Sequence, residues 1–421
     1  KFKNDRNYLI KYFAYRVQCI KKIFEHYKPD FFIPAVAMGS IDTAIYSQLA
    51  KYLGIEYAVL SWLRIDNYCT FSYDYQLNVK FLENKLKDSI ENNFNKKMSP
   101  EVEKLYEDTF NKTKNKNLGK KENSKFGISL NYFEKYNFFF KLFGWPILIS
   151  KAIYISFRDN FNYLIKRKNN YDSSDKKINI FNFCYRFYKQ FIQKITFYKQ
   201  VFRSKKAGLN HLPLNEKYIY FPLQVQPEYS TNIQATMWMN NINIIESLSK
   251  SIPHDWYIYV KDHPGMLMDR IRPKNFYSDI KKYPNVRFLN TYIESNKIIL
   301  NSKAVLSTSG TTAFDAILLG KPVIETRKNV WSNLKLSKIC TDVENLYDDI
   351  CEAKEKISII SREDRDQLIK HYFDLVLKYG FKQENVKEAF YNRSNIVDEH
   401  KKCGYSTGEG FLKYLNYVKE N

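Results

Sequence analysis

Between residues 217 and 325, short apolar runs alternate with helix-length amphipathic segments. No other feature of the chain constrains its fold so strongly. "KYIYFPL" opens the block and a helical pattern follows over 233–250; "WYIYVKDHP" and "VRFLN" come next. A helix around 292–302 leads to "AVLST", a helix over 312–319 and "PVIET". Continuous apolar runs separated by helices read as parallel strands covered on both faces. The block therefore predicts a doubly wound α/β sheet. Such sheets bind ligands beyond the carboxyl ends of their strands, and the unusual polar clusters of this block all sit there.

The densest cluster is "LSTSGTTAFD", where Ser307, Thr308, Ser309, Gly310, Thr311 and Thr312 separate a buried strand from a helix. One hydroxyl is enough to cap a helix. The surplus of hydroxyls and free amides suits a phosphate. Asp315, one turn further on, is within reach of a sugar hydroxyl. "VKDHPG" sets Lys261 and His263 at a second strand end, where a cation and an imidazole suit a departing phosphate. "FPLQVQPEYST" sets Gln224, Gln226 and Glu228 after the first strand, offering side-chain hydrogen bonds where many such folds use glycines. The ordinary alternatives are a polar turn capped by Ser230 or Thr231 and a structural turn histidine.

Upstream, residues 6–28 have helical periodicity, and "DFFIPAVAM", "GSIDTAIYSQLAKYLG" and "IEYAVLSWL" read as strand, helix and strand, a β-α-β unit. Here Ser40 and Asp42 follow one strand, and Arg64 and Asp66 in "WLRIDNY" follow the next. Asp42 is equally readable as a first-turn acid. The expected organisation is an N-terminal Rossmann-like domain over 1–79, a helical basic and aromatic insertion over 80–210, a second Rossmann-like domain over 211–345 and C-terminal helices over 346–421. No signal-peptide pattern opens the chain. Its start inside a helical pattern suggests that an initial strand has been trimmed.

The net charge of +22 is concentrated in the middle, where residues 80–206 hold 28 Lys and Arg against 12 Asp and Glu. Within this region "YNFFFKLFGWPILISKAIYISF" is almost wholly apolar, but Lys141, Pro146 and Lys151 interrupt it. A spanning helix needs about 20 apolar residues in a row, so a peripheral position on an anionic membrane surface is the expectation. "FNFCYRFYKQFIQKITFYKQVFRSKK" repeats the interleaving of aromatics with bases, and "NKTKNKNLGKKENSK" reads as a linker. Core-facing aromatics on ordinary helices are the alternative. No RNA-recognition signature appears, so nucleic acid is not expected as a partner. The six cysteines are scattered, which argues against a disulfide framework or zinc site and for a reducing, cytoplasmic setting.

"FPLQVQPE", "KDHP" and "STSGTTAFDAILLGKPVI" together resemble the capsule polysaccharide synthesis family, which includes bacterial Kdo transferases. The paired Rossmann-like halves resemble the GT-B glycosyltransferase architecture. The resemblance covers residues 215–345 well and 28–75 loosely. It implies a glycosyltransferase whose co-substrate is a nucleotide-sugar, with a CMP-linked acid such as Kdo favoured. A leaving phosphate stabilised by His263 and Lys261 needs no metal or other cofactor, and "DSSD" at 172–175 has the wrong spacing for a metal-binding acidic pair. His263 and Ser307, Thr308 and Ser309 would hold the donor phosphate, with Lys261, Gln224, Gln226, Gly310, Thr311, Thr312 and Asp315 around the donor. A carboxylate, Asp42 first and Glu228 second, would do the sugar chemistry. Ser40, Arg64 and Asp66 would meet a glycan or lipid-linked acceptor. A sugar-nucleotide epimerase or hydrolase of the same fold, or a non-enzymatic membrane-associated assembly factor, are the competing expectations.

Overall fold

The computed structural model describes residues 6–34, 42–115, 146, 149–158, 160–161, 180–267, 271–291, 293–308, 310–383 and 396–419. The chain divides into two compact units. The first comprises residues 1–116, 215–258 and 295–421, the second residues 117–214 and 259–294. The division does not follow the expected boundaries: both expected Rossmann-like segments contribute to the first unit.

In the first unit, helix Arg6–Tyr27 leads to β1 (Phe31–Phe32), helix Asp42–Tyr52 and β2 (Glu56–Tyr57). β1 and β2 pair in parallel, Phe31 opposite Glu56, so the expected β-α-β unit is present. Ile20, Phe24, Ala50, Tyr57 and Val59 form its core. "IEYAVLSWL", read as one strand, is divided. β3 (Val59–Trp62) turns back through Arg64 and Asp66 into β4 (Tyr68–Ser72), an antiparallel hairpin. Arg64 and Asp66 adopt left-handed backbone conformations, φ 64° and 44°. That region is uncommon for residues with a Cβ, and a tight reversal imposes it here. These two residues thus belong to a hairpin turn and not to a strand-to-helix junction.

The main sheet starts with β5 (Lys217–Pro222). β6 (Trp256–Lys261) begins in the first unit and ends in the second, which also holds β7 (Val286–Leu289). The chain then returns to the first unit with β8 (Ala304–Ser307), β9 (Val323–Glu325) and β10 (Ser337–Ile339). β10, β9, β8 and β5 lie side by side, all parallel, with Val323 opposite both Ser337 and Val305, and Ile219 opposite Ala304. Tyr218 to Phe221 and Ala304 to Ser307 are buried without a break, as strands covered on both faces require. β5 pairs directly with β8 although two strands intervene in the chain. This break in order is a topological switch point, where a crevice opens above the strand ends. The expected α/β class with a parallel sheet is what the chain forms.

Helix Arg362–Tyr379 is capped by Ser361, whose Oγ accepts from the Asp364 amide at 3.0 Å. It buries Tyr372 and Phe373 against Phe314. Its end turns at Gly380 into β11 (Phe381–Lys382), which pairs antiparallel with β4 and brings Lys382 to Asp66 at 3.1 Å.

In the second unit, a helix over 149–158 and 160–161 packs on helix Ile180–Ala207. Ala152 meets Phe197, Tyr198 and Val201, and Asn160 donates to Gln190 at 2.7 Å. The face turned inward therefore carries small and polar residues, Ala152, Ser156 and Asn160. Ile149, Ile153, Phe157 and Phe161, at i, i+4 spacing, are exposed by 39% to 55%. A helix in a globular core has the opposite arrangement. Tyr185, Tyr188 and Ile192 of the longer helix are exposed as well. Among the described residues no helix is long and apolar enough to cross a membrane. All of "YNFFFKLFGW", the "DSSD" run and residues 116–125 of the linker candidate lie outside the described residues.

Candidate functional site

The hydroxyl loop leaves β8 at the switch point. Ser307 Oγ accepts from the Gly310 amide at 3.3 Å, which curls the loop back on the strand end. Thr326, one residue beyond β9, fixes the loop from the side: its amide donates to the Ser307 carbonyl at 3.3 Å and its hydroxyl to the Thr308 carbonyl at 2.9 Å. Helix Thr312–Leu318 follows, and Thr311 at its cap makes no side-chain capping bond. Helix capping therefore does not account for the hydroxyls. The helix has only seven residues, so loop groups and not a helix dipole define the place. Thr308 is 1% exposed and its Oγ1 has no hydrogen-bond partner among the described residues. An orphaned buried hydroxyl costs stability unless something else completes it. Ser309 lies outside the described residues.

Gln224, from the loop after β5, closes the other side of the switch point. A Cβ on Gly310 would lie 2.8 Å from Gln224 Nε2, so glycine is needed for this approach. Gln226 braces its own loop, with Oε1 accepting from Asn241 at 3.0 Å and Nε2 donating to the Met239 carbonyl. The Gln226–Pro227 peptide is cis. Glu228 is half-buried, with Oε2 accepting from Ser230 at 2.7 Å.

Arg64 joins this group from the β3–β4 hairpin. Its side chain is exposed, yet protein surrounds it closely enough that desolvation lowers its pKa, opposed by the charges of Glu228 and Asp315 and by Tyr372. Tyr372 donates to the Leu63 carbonyl at 2.6 Å and so fixes the turn that carries Arg64. Arg327, which nothing in the local sequence singles out, belongs here too. Burial, and after it the positive charge of Arg64, lower its pKa to about 10. One of its nitrogens, Nη2, donates to the Gln76 carbonyl at 2.6 Å, and Gln234 reaches the same carbonyl at 2.6 Å. Glu325, at the end of β9, is 1% exposed and accepts from Asn329, Trp331, Ser332 and Ser337 at 2.7 to 3.1 Å. These four donors shape the segment that carries Arg327. The available signal was positional: Arg327 lies two residues beyond a strand end, the same place as the other site residues.

The second unit holds the His-Pro turn. Asp262 is fully buried, accepting from the His263 amide at 2.9 Å, from Arg272 Nη2 at 2.8 Å and from Tyr277 at 2.8 Å. Gln200 ties the same region together, donating to the Met266 carbonyl and accepting from the Arg272 amide. His263 itself is exposed, and its Nδ1 accepts from the Gly265 amide at 3.0 Å. The neutral ring then carries its proton on Nε2, a donor set by the turn. Lys261 does not stand open at the strand end as the sequence suggested. It is 3% exposed and donates to the Ile293 carbonyl at 2.7 Å, bracing that turn.

The structure thus brings Gln224 against the hydroxyl loop at Gly310; the charges of Glu228 and Asp315 act on Arg64, and that of Arg64 on Arg327. It puts Gln226 and Lys261 to structural use and pairs Asp66 with Lys382. Asp42 is the first residue of its helix, and Ser40 lies outside the described residues.

A family model described as "Capsule polysaccharide biosynthesis protein" matches residues 158–338. It spans Gln224 to Glu228, the His-Pro turn, the hydroxyl loop and Arg327, and bears out the resemblance read from the sequence over that stretch. Protein FixF of Sinorhizobium fredii is 25% identical over 126 residues, 29% of this chain and 29% of its own length. Among solved structures, the beta Kdo 2,7 transferase of Thermosulfurimonas dismutans KpsC is 16% identical over 42% of this chain and 53% of its own, with a TM-score of 0.26. The beta Kdo 2,4 transferase of KpsC is 12% identical over 70% of this chain and 67% of its own, with a TM-score of 0.33. The chain therefore spans under a third of FixF and about half of the first of these structures.

Proposed function

We propose that this chain is a glycosyltransferase that takes a sugar from a nucleotide-sugar and passes it to a glycan or lipid-linked acceptor in surface polysaccharide synthesis. The observation that carries this reading is the buried, unpartnered Thr308 hydroxyl in a loop of hydroxyls and amides at the switch point. A donor phosphate would complete it, and the family match over this stretch supports the polysaccharide context.

In this reading Ser307, Thr308 and Gly310 seat the phosphate, and Gln224 holds the loop in place. The family resemblance assigns a donor role toward the leaving phosphate to His263. Glu228, one of two carboxylates whose charge acts on Arg64, is able to accept the acceptor's proton. Asp42 remains the alternative for that role. A CMP-linked acid sugar is the favoured donor because of the family resemblance. The exposed apolar faces of the 149–161 helix and of helix Ile180–Ala207, amid the basic middle of the chain, would keep the enzyme on an anionic membrane surface where lipid-linked acceptors lie.

The test is a melting screen of the full chain with CMP, CDP, UDP and GDP, repeated on Thr308→Val and His263→Ala. A nucleotide at 100 times its Kd stabilises by about 2.7 kcal/mol. The expected result is one nucleotide that raises the wild-type melting temperature and has little effect on either variant. A CMP response favours the acid-sugar donor, and a UDP or GDP response moves the donor class. If no nucleotide shifts the wild type, the reading fails.

A further inference from the structure

The loops that follow β5 and β9 meet above the strand between them. β8 lies between β9 and β5 in the sheet and all three run parallel, so their carboxyl ends share one edge. Gln234, beyond β5, donates from Nε2 to the Gln76 carbonyl at 2.6 Å. Arg327, two residues beyond β9, donates from Nη2 to the same carbonyl at 2.6 Å. Tyr229, in the short helix after Glu228, donates to the neighbouring Tyr75 carbonyl. A carbonyl reached from both flanks of β8 bridges the two loops on either side of the hydroxyl loop. The segment that carries it, residues 73–78, has its own bracing. Ser72 Oγ donates to the Asn78 carbonyl at 2.6 Å, and Asp74 accepts from the Gln76 amide at 2.8 Å and from Asn78 Nδ2 at 2.6 Å. These internal bonds fix its shape; the three outside donors fix its place.

Arg327 connects the two levels. Thr326 beside it donates to the Ser307 and Thr308 carbonyls, so the residue starts at the hydroxyl loop while its guanidinium ends at Gln76. It is half-buried, and among the described residues the guanidinium makes that hydrogen bond and no ion pair. The rest of its fork suits an oxyanion better than a neutral carbonyl.

We propose that residues 73–78 form a strap over the phosphate seat, and that Arg327 binds the seated anion while it holds the strap. The ligand is a phosphate or pyrophosphate group; that a nucleotide-sugar carries it rests on the proposed function. One N–H of Arg327 stays on Gln76 and the others meet the anion, so binding stiffens the strap. By linkage the clamped strap favours binding by the same free energy. Gln234 and Tyr229 are positioning residues, which hold the strap from the β5 side.

Two measurements on the full chain, with inorganic pyrophosphate as the probe, test this. Hydrogen exchange reads the strap. Without ligand, amides of residues 73–78 should exchange about fivefold faster in Gln234→Ala and in Arg327→Met than in wild type, and pyrophosphate should slow them in wild type. Calorimetric titration at constant ionic strength reads the anion. Arg327→Met should bind pyrophosphate about tenfold more weakly than wild type. Thr308→Val should lose affinity too, and Gln234→Ala by at most about threefold, through the strap alone. Should Arg327→Met fail to fold, Arg327→Lys decides: it keeps the charge without the planar fork and should bind more weakly than wild type. The proposal is overturned if wild type does not bind pyrophosphate, or if the Arg327 variant or Thr308→Val binds it as wild type does, since the anion then lies elsewhere on this basic chain. Strap exchange unchanged in both variants, or unchanged by bound pyrophosphate, overturns it as well. A nucleotide melting response without pyrophosphate binding would remove the strap and leave the transferase reading in place. The expected pyrophosphate results without any nucleotide response would do the reverse.

Discussion

At the scale of the residue, the unpartnered groups are informative because burial is costly. Thr308 Oγ1 is buried with no partner among the described residues. A fold under selection for stability alone would replace it with an apolar side chain. Arg327 makes the cost measurable through pH. Its folded-state pKa of about 10 lies below the ordinary arginine value, so the folded protein releases this proton more easily than the unfolded chain does. The penalty for holding the charge is therefore present at neutral pH and is relieved as pH rises through about 10. Chemical denaturation of wild type and Arg327→Leu from about pH 8 to about pH 11 checks this: the stability of wild type relative to the variant should rise as pH passes about 10.

At the scale of the element, the site residues depend on turns held by buried charge. Asp262 anchors the His-Pro turn with Arg272, Tyr277 and the His263 amide, all out of solvent. Asp262→Ala would leave Arg272 buried without its counter-charge and should cost about 3–5 kcal/mol. Chemical denaturation of the two proteins measures this, and a loss under about 1 kcal/mol would mean that water replaces the carboxylate. How much of this was legible in the sequence depended on range. The parallel strands were readable because Tyr218 to Phe221 and Ala304 to Ser307 are apolar or small in unbroken runs. The hydroxyl loop was readable because it lies within one stretch of chain. Pairing was not: nothing local in "IEYAVLSWL" says that it divides, or that Phe381, some three hundred residues on, pairs with Cys69 beside it. Lys261 looked available because the carbonyl that captures it belongs to Ile293. Arg327 passed unnoticed because its meaning comes from Arg64 and Gln76, both remote in sequence.

At the scale of the whole molecule, the unexplained quantity is a charge of +22, most of it between residues 80 and 206. A uniformly basic surface would need only a soluble anionic partner. The second unit adds something that such a partner does not require: Ile149, Ile153, Phe157 and Phe161 lie in one exposed row, with Ala152, Ser156 and Asn160 on the packed side. Apolar side chains beside bases suit a headgroup layer, where the bases meet phosphates and the rings enter the acyl boundary. Electrostatic attraction contributes about 1 kcal/mol per basic residue near an anionic surface, and the apolar row adds to it by burial. The two contributions can be separated. Co-sedimentation with vesicles of phosphatidylglycerol and phosphatidylcholine in equal parts should be strong at low salt and weaken as salt rises. Vesicles of phosphatidylcholine alone should bind poorly. The double variant Ile153→Asp, Phe157→Asp should bind the mixed vesicles about tenfold more weakly, with its melting temperature unchanged because both side chains face solvent. Wild-type binding that persists undiminished at high salt would assign attachment to the apolar row alone. Binding by the double variant equal to wild type would remove that row from the contact and leave only the charge of the middle region.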